Sequence, residues 1–140
     1  MLSLERSVRL AAPAEDVWNL IGRFDGVADW HPAVNSLATW LDGPSEVREL
    51  NVVGNIRITE RQIGRDDDAM SYRYVIVDGP LPVEGYASVL SVTDHGDGTS
   101  TVRWACEFRL AGAPEDVVRE AIGGIYDAGL QSLIGRFGAA

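Results

Sequence analysis

Two charged side chains lie in stretches where apolar and polar residues alternate, as they do in a half-buried strand. Arg48 has the phase of Leu50, and Glu60 has the phase of Ile58. Residues of one phase share one face of a strand. We therefore predict that both charges point toward the interior and can meet across a pair of neighbouring strands.

Two interpretations of this pair are open. If Arg48 and Glu60 pair, the guanidinium lowers the pKa of the carboxyl and the couple orients its neighbours. If Glu60 stays unpaired, burial raises its pKa by up to about 3–5 units and makes it a general acid or base. The structural pair is favoured, because ion pairs also perturb pKa values without doing chemistry.

A third polar candidate, His31, lies between Trp30 and Pro32, where a helical pattern is interrupted. An imidazole titrates near ~6.5, so His31 is a candidate for proton transfer if it reaches the interior. Alternatively, its ring caps backbone groups in the turn before Pro32. Trp30 in the same way either fills the core or lines a pocket. The predicted catalytic residues are His31, Glu60 and Arg48.

Four aromatic residues share the inward phase of their strands, and these are Tyr72, Tyr74, Tyr86 and Trp104. Such side chains combine a large apolar body with one polar edge. Ligand cavities are lined by apolar and aromatic groups with a few polar ones. The predicted ligand-binding residues are Trp30, His31, Arg48, Glu60, Tyr72, Tyr74, Tyr86 and Trp104.

Metal and nucleotide chemistry finds little support in the sequence. His95 falls in a hairpin turn, and Cys106, the single cysteine, alternates with apolar residues in a strand. These residues and His31 do not supply the ligand set of a zinc or iron site. The chain has no phosphate-binding glycine loop and no dinucleotide fingerprint. We expect no metal and no cofactor.

Composition limits the location and the partners. The 140 residues are 46% hydrophobic and 24% charged, which fits one globular domain over residues 1–140. The net charge is −9, and the 12 basic residues are all arginines without a run. Such a surface repels nucleic acid and anionic membranes. Without a signal peptide or an apolar run of about 18 residues, the chain is expected to be cytoplasmic and not membrane-inserted.

The elements that position these residues follow from periodicity and turn signals. A first strand is predicted over 4–10. A short helix that starts within 12–16 follows it, with a kink at Gly22 and Gly26 and one further turn before Pro32, and a long C-terminal helix starts within 112–116. Between them the period is two, and the predicted strands are 34–41, 46–53, 55–64, 69–77, 85–93 and 99–110. Short connections favour an antiparallel meander. The predicted fold is α+β, a helix-grip arrangement in which a curved seven-stranded antiparallel sheet wraps around the long C-terminal helix, with two short helices after the first strand.

Several motifs are typical of one group of proteins with this arrangement. They are Ala12-Pro13-Ala14-Glu15-Asp16-Val17-Trp18, Trp30-His31-Pro32, Val47-Arg48-Glu49-Leu50, Thr59-Glu60-Arg61, Gly79-Pro80-Leu81-Pro82 and Gly124-Ile125-Tyr126. Over almost its whole length the chain resembles the START-related, birch-pollen-allergen-like superfamily (SRPBCC), in its polyketide cyclase/dehydrase and lipid-transport branch.

This resemblance implies a hydrophobic cavity for a polyketide, aromatic or lipid-like ligand. The resemblance also allows the protein to be a polyketide cyclase or dehydrase that uses acid-base chemistry. Loop 78–84 is similar to the gating loops of hormone receptors in this superfamily. The alternative is a non-catalytic partner-binding or stress-related module. In this alternative a homodimer would form through an exposed sheet edge or through the same loop.

Overall fold

The computed structural model describes residues 1–140, which form seven strands, two α-helices and one 3-10 helix. The elements in chain order are β1 (Leu2–Leu10), α1 (Ala14–Ile21), the 3-10 helix (Phe24–Asp29), β2 (Val34–Asp42), β3 (Ser45–Val52), β4 (Ile56–Asp66), β5 (Ser71–Asp78), β6 (Val83–Asp94), β7 (Ser100–Leu110) and α2 (Glu115–Phe137).

The strands form one antiparallel sheet in the order β1-β7-β6-β5-β4-β3-β2. β2 to β7 are a meander in which each strand pairs with the next, and β1 closes onto β7. The core lies between the inner face of this sheet and the helices. The predicted α+β helix-grip fold and all seven strands are confirmed, with ends that differ by a few residues.

Both α-helices begin directly after a proline in extended conformation, Pro13 for α1 and Pro114 for α2. Two acidic residues occupy the first turn of each helix, where the helix dipole favours negative charge. Gly22 follows the last residue of α1, and a Cβ there would lie 2.6 Å from the ring of Trp18, so a side chain does not fit at this position. The 3-10 helix then returns the chain to the sheet, which agrees with the predicted kink and further turn.

The glycines of α2 have different roles. A Cβ at Gly129 would lie 2.8 Å from His31, 2.9 Å from Trp104 and 3.0 Å from Trp30, so this glycine lets three rings approach the helix backbone. A Cβ at Gly124 would meet nothing within 4 Å. α2 is not apolar enough along its length to span a lipid bilayer, and neither is α1.

The two edges of the sheet differ. The backbone of β1 is covered near its end by the C-terminus, where Ala140 N–H donates to Arg9 O at 3.1 Å and Ala139 bridges Leu10. Residues 35–42 of β2 make no backbone hydrogen bond beyond their ladder with β3. Trp40 and Leu41 of this strand are 45% and 74% exposed. The β2 edge is therefore open.

Candidate functional site

Arg48 and Glu60 are direct partners in the register of β3 and β4, and both are buried. Arg48 Nε donates to Glu60 Oε1 at 2.8 Å. Arg48 Nη1 donates to the carbonyl oxygen of Phe24 at 2.8 Å and to the hydroxyl of Tyr72 at 3.4 Å. The guanidinium also lies 3.9 Å from the centre of the Phe24 ring. The ion pair thus ties the sheet to the 3-10 helix.

The electrostatics of this pair combine features of both sequence interpretations. Burial raises the pKa of the Glu60 carboxyl, and the charge and hydrogen bond of Arg48 oppose the rise without cancelling it. Burial by itself would lower the pKa of Arg48, but interactions with Tyr72, Glu60 and Tyr74 raise it overall. The guanidinium therefore stays charged, while the carboxyl is easier to protonate than an exposed one.

One side of the pair keeps unused hydrogen-bonding groups. Arg48 Nη2 makes no hydrogen bond, and neither does Glu60 Oε2. Both residues line an internal cavity, so two N–H donors and one carboxylate acceptor are available next to it.

The cavity has a volume of about 50 Å³. Cavities for drug-sized ligands have roughly 300–1,000 Å³, so this one holds only a few water-sized groups as it stands. Apart from Arg48, Glu60 and His31, the lining residues are Val27, Ala33, Val34, Leu50, Val52, Ile58, Tyr74, Ile76, Leu81, Tyr86, Trp104, Ile125 and Tyr126. Leu81 comes from the Pro-rich loop 79–82, at the sheet end where β3 and β5 finish and β4 and β6 start.

Three tyrosines of the cavity lining, Tyr74, Tyr86 and Tyr126, belong to a buried group of hydrogen-bonded side chains. Tyr86 and Tyr126 are in hydroxyl-to-hydroxyl contact, and Ser88 Oγ lies 2.9 Å from the Tyr126 hydroxyl. Trp104 Nε1 donates to the Tyr74 hydroxyl at 3.0 Å. Burial raises the pKa of all three tyrosines, so each keeps its proton at neutral pH.

His31 has both ring nitrogens engaged. Nε2–H donates to the carbonyl oxygen of Ile125 in α2 at 2.7 Å, because a carbonyl can only accept. Nδ1 accepts the backbone N–H of Ala33 at 3.1 Å. Burial lowers the pKa of the ring, which is therefore neutral. This geometry is the backbone-capping alternative, with an additional bond to the helix.

Two residues of the predicted ligand-binding set lie outside the cavity lining. Trp30 is buried against Gly129, Trp104 and His31, and its Nε1–H has no hydrogen-bond partner. Tyr72 packs edge-on against Phe24, with ring centres 5.6 Å apart. Strand phase gives the face on which Tyr72 lies but not its depth, and Trp30 lies outside the strands, between the 3-10 helix and β2. In this structure both residues fill the core.

Three residues of the site were not predicted. The sequence shows Tyr126 only within the motif Gly124-Ile125-Tyr126, and Phe24 only within the helical segment before Pro32. Ser88 gave no signal, since a lone serine in a strand has no distinctive pattern. The proximity of Tyr126 to Gly129 was the available hint, because a helical glycine permits close approach of rings. The structure brings no three His, Cys, Asp or Glu residues together as a metal-ligand group.

Comparisons with known proteins agree with this architecture. The protein XoxI from Bacillus cereus is 30% identical with a TM-score of 0.92, covering 98% of this chain and 96% of that one. A Thermobifida fusca protein is 32% identical with a TM-score of 0.89, covering 99% and 94%. The ZhuI aromatase/cyclase from Streptomyces sp. R1128 has a TM-score of 0.77 at 20% identity, covering 96% and 92%. The comparison with curated proteins finds no match.

The sequence family described as polyketide cyclase / dehydrase and lipid transport matches residues 1–138. This match covers the strands, the helices and every residue of the cavity. It confirms the resemblance identified from the sequence motifs. The chain belongs to the polyketide cyclase/dehydrase and lipid-transport family.

Proposed function

We propose that the protein binds a small aromatic or polyketide-like molecule in the internal cavity and catalyses a cyclisation or dehydration on it. The observation that carries this proposal is the pair of unused polar groups, Arg48 Nη2 and Glu60 Oε2, in an otherwise largely apolar cavity. Placed polar groups in an apolar site give a ligand its orientation. The Streptomyces neighbour is named an aromatase/cyclase, which agrees with this class of chemistry.

The two groups supply the parts of an aldol reaction. Glu60 Oε2 takes a proton from the carbon next to a ligand carbonyl, and Arg48 Nη2 stabilises the enolate oxygen. The enolate carbon forms a bond to a second carbonyl carbon, and Glu60 returns its proton to the new alkoxide. The raised pKa of Glu60 suits a group that must both accept and release a proton near neutral pH.

His31 has a different part in this proposal. Because both of its nitrogens are engaged, proton transfer through His31 would first break the bond to Ile125 or to Ala33. Glu60 and Arg48 therefore carry the proposed chemistry, and His31 positions the loop beside the cavity. A ligand larger than a few water molecules also requires the cavity to widen, and Leu81 on loop 79–82 is the lining residue that we propose moves.

The test is native mass spectrometry of the purified protein, followed by denaturing extraction and identification of any released molecule. We expect an aromatic or polyketide-like compound that the wild type converts. Glu60→Gln should retain the compound and lose the conversion, whereas the surface variant His95→Gln should keep both. Conversion at the wild-type rate by Glu60→Gln would reject the acid-base role of Glu60. The variant His31→Gln lacks the titratable imidazole, so it tests whether His31 transfers a proton or only positions the loop.

The open edge of β2 favours a second candidate role, binding to a second copy of the chain. Antiparallel pairing about Ala38 would put no charges opposite each other, because Asp42 at the strand end is the only charged residue of β2. Alanine at the centre leaves room for the exposed Trp40 of each copy. Unprotected edges of this kind readily pair with another strand.

Light scattering from about 1 µM to about 1 mM tests this role, since small interfaces populate complexes in that range. Ala38→Lys places two cations together at the axis, while the cross-strand neighbour Glu49 compensates the charge in the monomer. We expect a concentration-dependent dimer that Ala38→Lys abolishes and that Ser7→Lys, on the opposite edge strand, preserves. A monomer at every concentration would exclude the homodimer.

A cytoplasmic location likewise stays a proposal from the acidic sequence.

A further inference from the structure

The two ends of the sheet differ in charge. At the end where β3, β5 and β7 finish, the connections are residues 53–55, 79–82 and 111–114, and none of their residues is charged. At the opposite end, connections 67–70 and 95–99 contain three aspartates, and β2, β4 and β6 each finish at another aspartate. We call connections 53–55, 79–82 and 111–114 the uncharged end.

The uncharged end also has most of the exposed apolar side chains. Five large hydrophobic residues in or near its connections are 38–54% exposed, and they are Val53, Ile56, Val77, Leu110 and Val117. Apart from Met1, the other exposed large hydrophobic residues are Trp40, Leu41 and Ile63, which lie toward the opposite end. Single exposed apolar residues are normal, but a contiguous group of them marks an interaction surface.

Direct contacts join the three connections into one surface. The N–H of Ala111 donates to the carbonyl oxygen of Pro82 at 3.0 Å, which links the last two connections. A Cβ at Gly79 would lie 3.4 Å from the carbonyl oxygen of Arg57. The middle connection therefore also packs on the start of β4, directly after the first connection.

The chemistry of this surface suits contact with an apolar phase. The exposed charges around it have both signs, and they are Arg57, Arg109, Asp78, Glu84, Glu115 and Asp116. They form no cationic cluster that would select anionic lipids. Pro80, Pro82 and Pro114 have no N–H, so fewer backbone donors lose their water when the connections leave the solvent.

We propose that the uncharged end docks on a zwitterionic lipid surface. Its apolar side chains enter the headgroup region, and the net charge of −9 keeps the protein away from anionic membranes. A protein partner is the less favoured occupant. Binding hot spots on proteins are usually Trp, Tyr or Arg, whereas the exposed apolar residues here are all aliphatic.

The docking does not depend on the proposed function, but Leu81 connects the two. This residue lies in the uncharged end and lines the internal cavity. If the proposed function also holds, an apolar ligand dissolved in the lipid reaches the cavity without crossing water.

Co-sedimentation with vesicles tests the docking. We expect roughly half of the wild type to bind pure phosphatidylcholine vesicles at about 1 mM accessible lipid, which is about tenfold weaker than the binding of a single myristoyl chain. Replacing about a third of the lipid by phosphatidylserine should weaken the binding, because the protein and the membrane are then both negative.

A matched pair of double variants locates the surface. Val53→Asp with Val117→Asp adds two charges to the uncharged end and should reduce the affinity at least about tenfold. Leu41→Asp with Ile63→Asp makes the same change in net charge toward the opposite end and should keep the wild-type affinity. The four side chains are 47–74% exposed, so both variants should fold, and circular dichroism checks that they do.

Every other outcome overturns the proposal. If the wild type stays in the supernatant up to about 10 mM phosphatidylcholine, the protein does not dock on lipid, and the uncharged end is left for a protein partner. Equal binding by the two double variants would place the lipid contact elsewhere. Tighter binding to the vesicles with phosphatidylserine would assign the binding to cations. None of these results changes the ligand test by mass spectrometry, so the two proposals fail independently.

Discussion

At the scale of single residues, the Arg48–Glu60 pair has the largest energetic consequence. Removing one partner of a buried ion pair leaves an uncompensated charge and costs about 3–5 kcal/mol. We expect Arg48→Met to lower the free energy of unfolding by this amount in urea denaturation. The double variant Arg48→Met with Glu60→Leu should recover most of the loss, since it removes both charges.

The exposed pair of Arg61 and Asp42 is the matched control for this prediction. Its Nη2 to Oδ2 distance is 2.6 Å, but the Arg61 and Asp42 side chains are 38% and 59% exposed. Surface ion pairs contribute about 0–1 kcal/mol. Arg61→Met should therefore change the free energy of unfolding only slightly. If Arg48→Met and Arg61→Met lowered the free energy of unfolding by the same amount, the buried pair would be no more important for stability than the exposed pair.

His31 gives the protein a pH dependence. Burial lowers the pKa of the folded-state ring below its ordinary value of about 6.5. Between those two values the unfolded chain takes up a proton that the folded chain does not. The contribution of His31 is therefore complete above about pH 6.5 and decreases as the pH falls, by at most about 1.4 kcal/mol per pH unit.

Urea denaturation between pH 5 and pH 8, about the range of histidine titration, checks this dependence. The neutral side chain of His31→Gln should flatten the curve in the acidic part of the range. His95→Gln, which alters an exposed histidine, should leave the curve as in the wild type. If the stability of His31→Gln decreased with falling pH as steeply as that of the wild type, the pH dependence would come from groups other than His31.

The candidate residues show how far strand phase can identify a site. Alternation was sufficient to place Arg48 opposite Glu60 and to direct Tyr74, Tyr86 and Trp104 inward. It could not show that His31 binds Ile125, which lies 94 residues further along the chain. Such long-range contacts depend on how the helices pack over the sheet, and no local pattern encodes that packing.

At the scale of elements, two glycines of α2 provide an internally controlled comparison. Replacing Gly124 by alanine adds a Cβ into open space and should stabilise the helix by up to about 1 kcal/mol. The same change at Gly129 forces three rings away from the helix and should destabilise the fold by about 1–3 kcal/mol despite the better helix propensity.

Thermal and urea unfolding of the two variants measure this difference. Two of the three rings that a Cβ at Gly129 displaces, His31 and Trp104, also line the cavity, so Gly129→Ala should shift their NMR signals as well. A Gly129→Ala protein as stable as Gly124→Ala would mean that the rings withdraw from the helix without cost.

The strands were predictable as elements, but their ends were less so. β4 was expected over 55–64 and extends to Asp66, because the register shifts between Gln62 and Gly64. β6 was expected from residue 85 and starts at Val83, with a shift before Ala87. A bulge interrupts the period of two, so a pattern of simple alternation stops where the strand itself continues.

At the scale of the whole molecule, the arrangement of the sheet was predictable because its connections are short. Six consecutive strands joined by tight turns have few alternatives to a meander. The size of the cavity was not predictable, since it depends on how closely Tyr86, Tyr126 and Trp104 pack. In this structure the interior leaves about 50 Å³, so the proposed ligand binding requires the proposed movement of loop 79–82.

The pairing of β1 with β7 also affects how the protein folds while it is being synthesised. β1 is translated first, but Leu2 pairs with Phe108 and Leu10 with Ser100, near the other end of the chain. At about 5–20 residues per second, the first strand waits roughly 5–20 seconds on the ribosome for its partner. During that time its apolar side, Leu4 and Leu10, is uncovered while the hairpins of the meander can already form. Nascent chains that end before β7 should therefore be recognised by chaperones through the residues of β1.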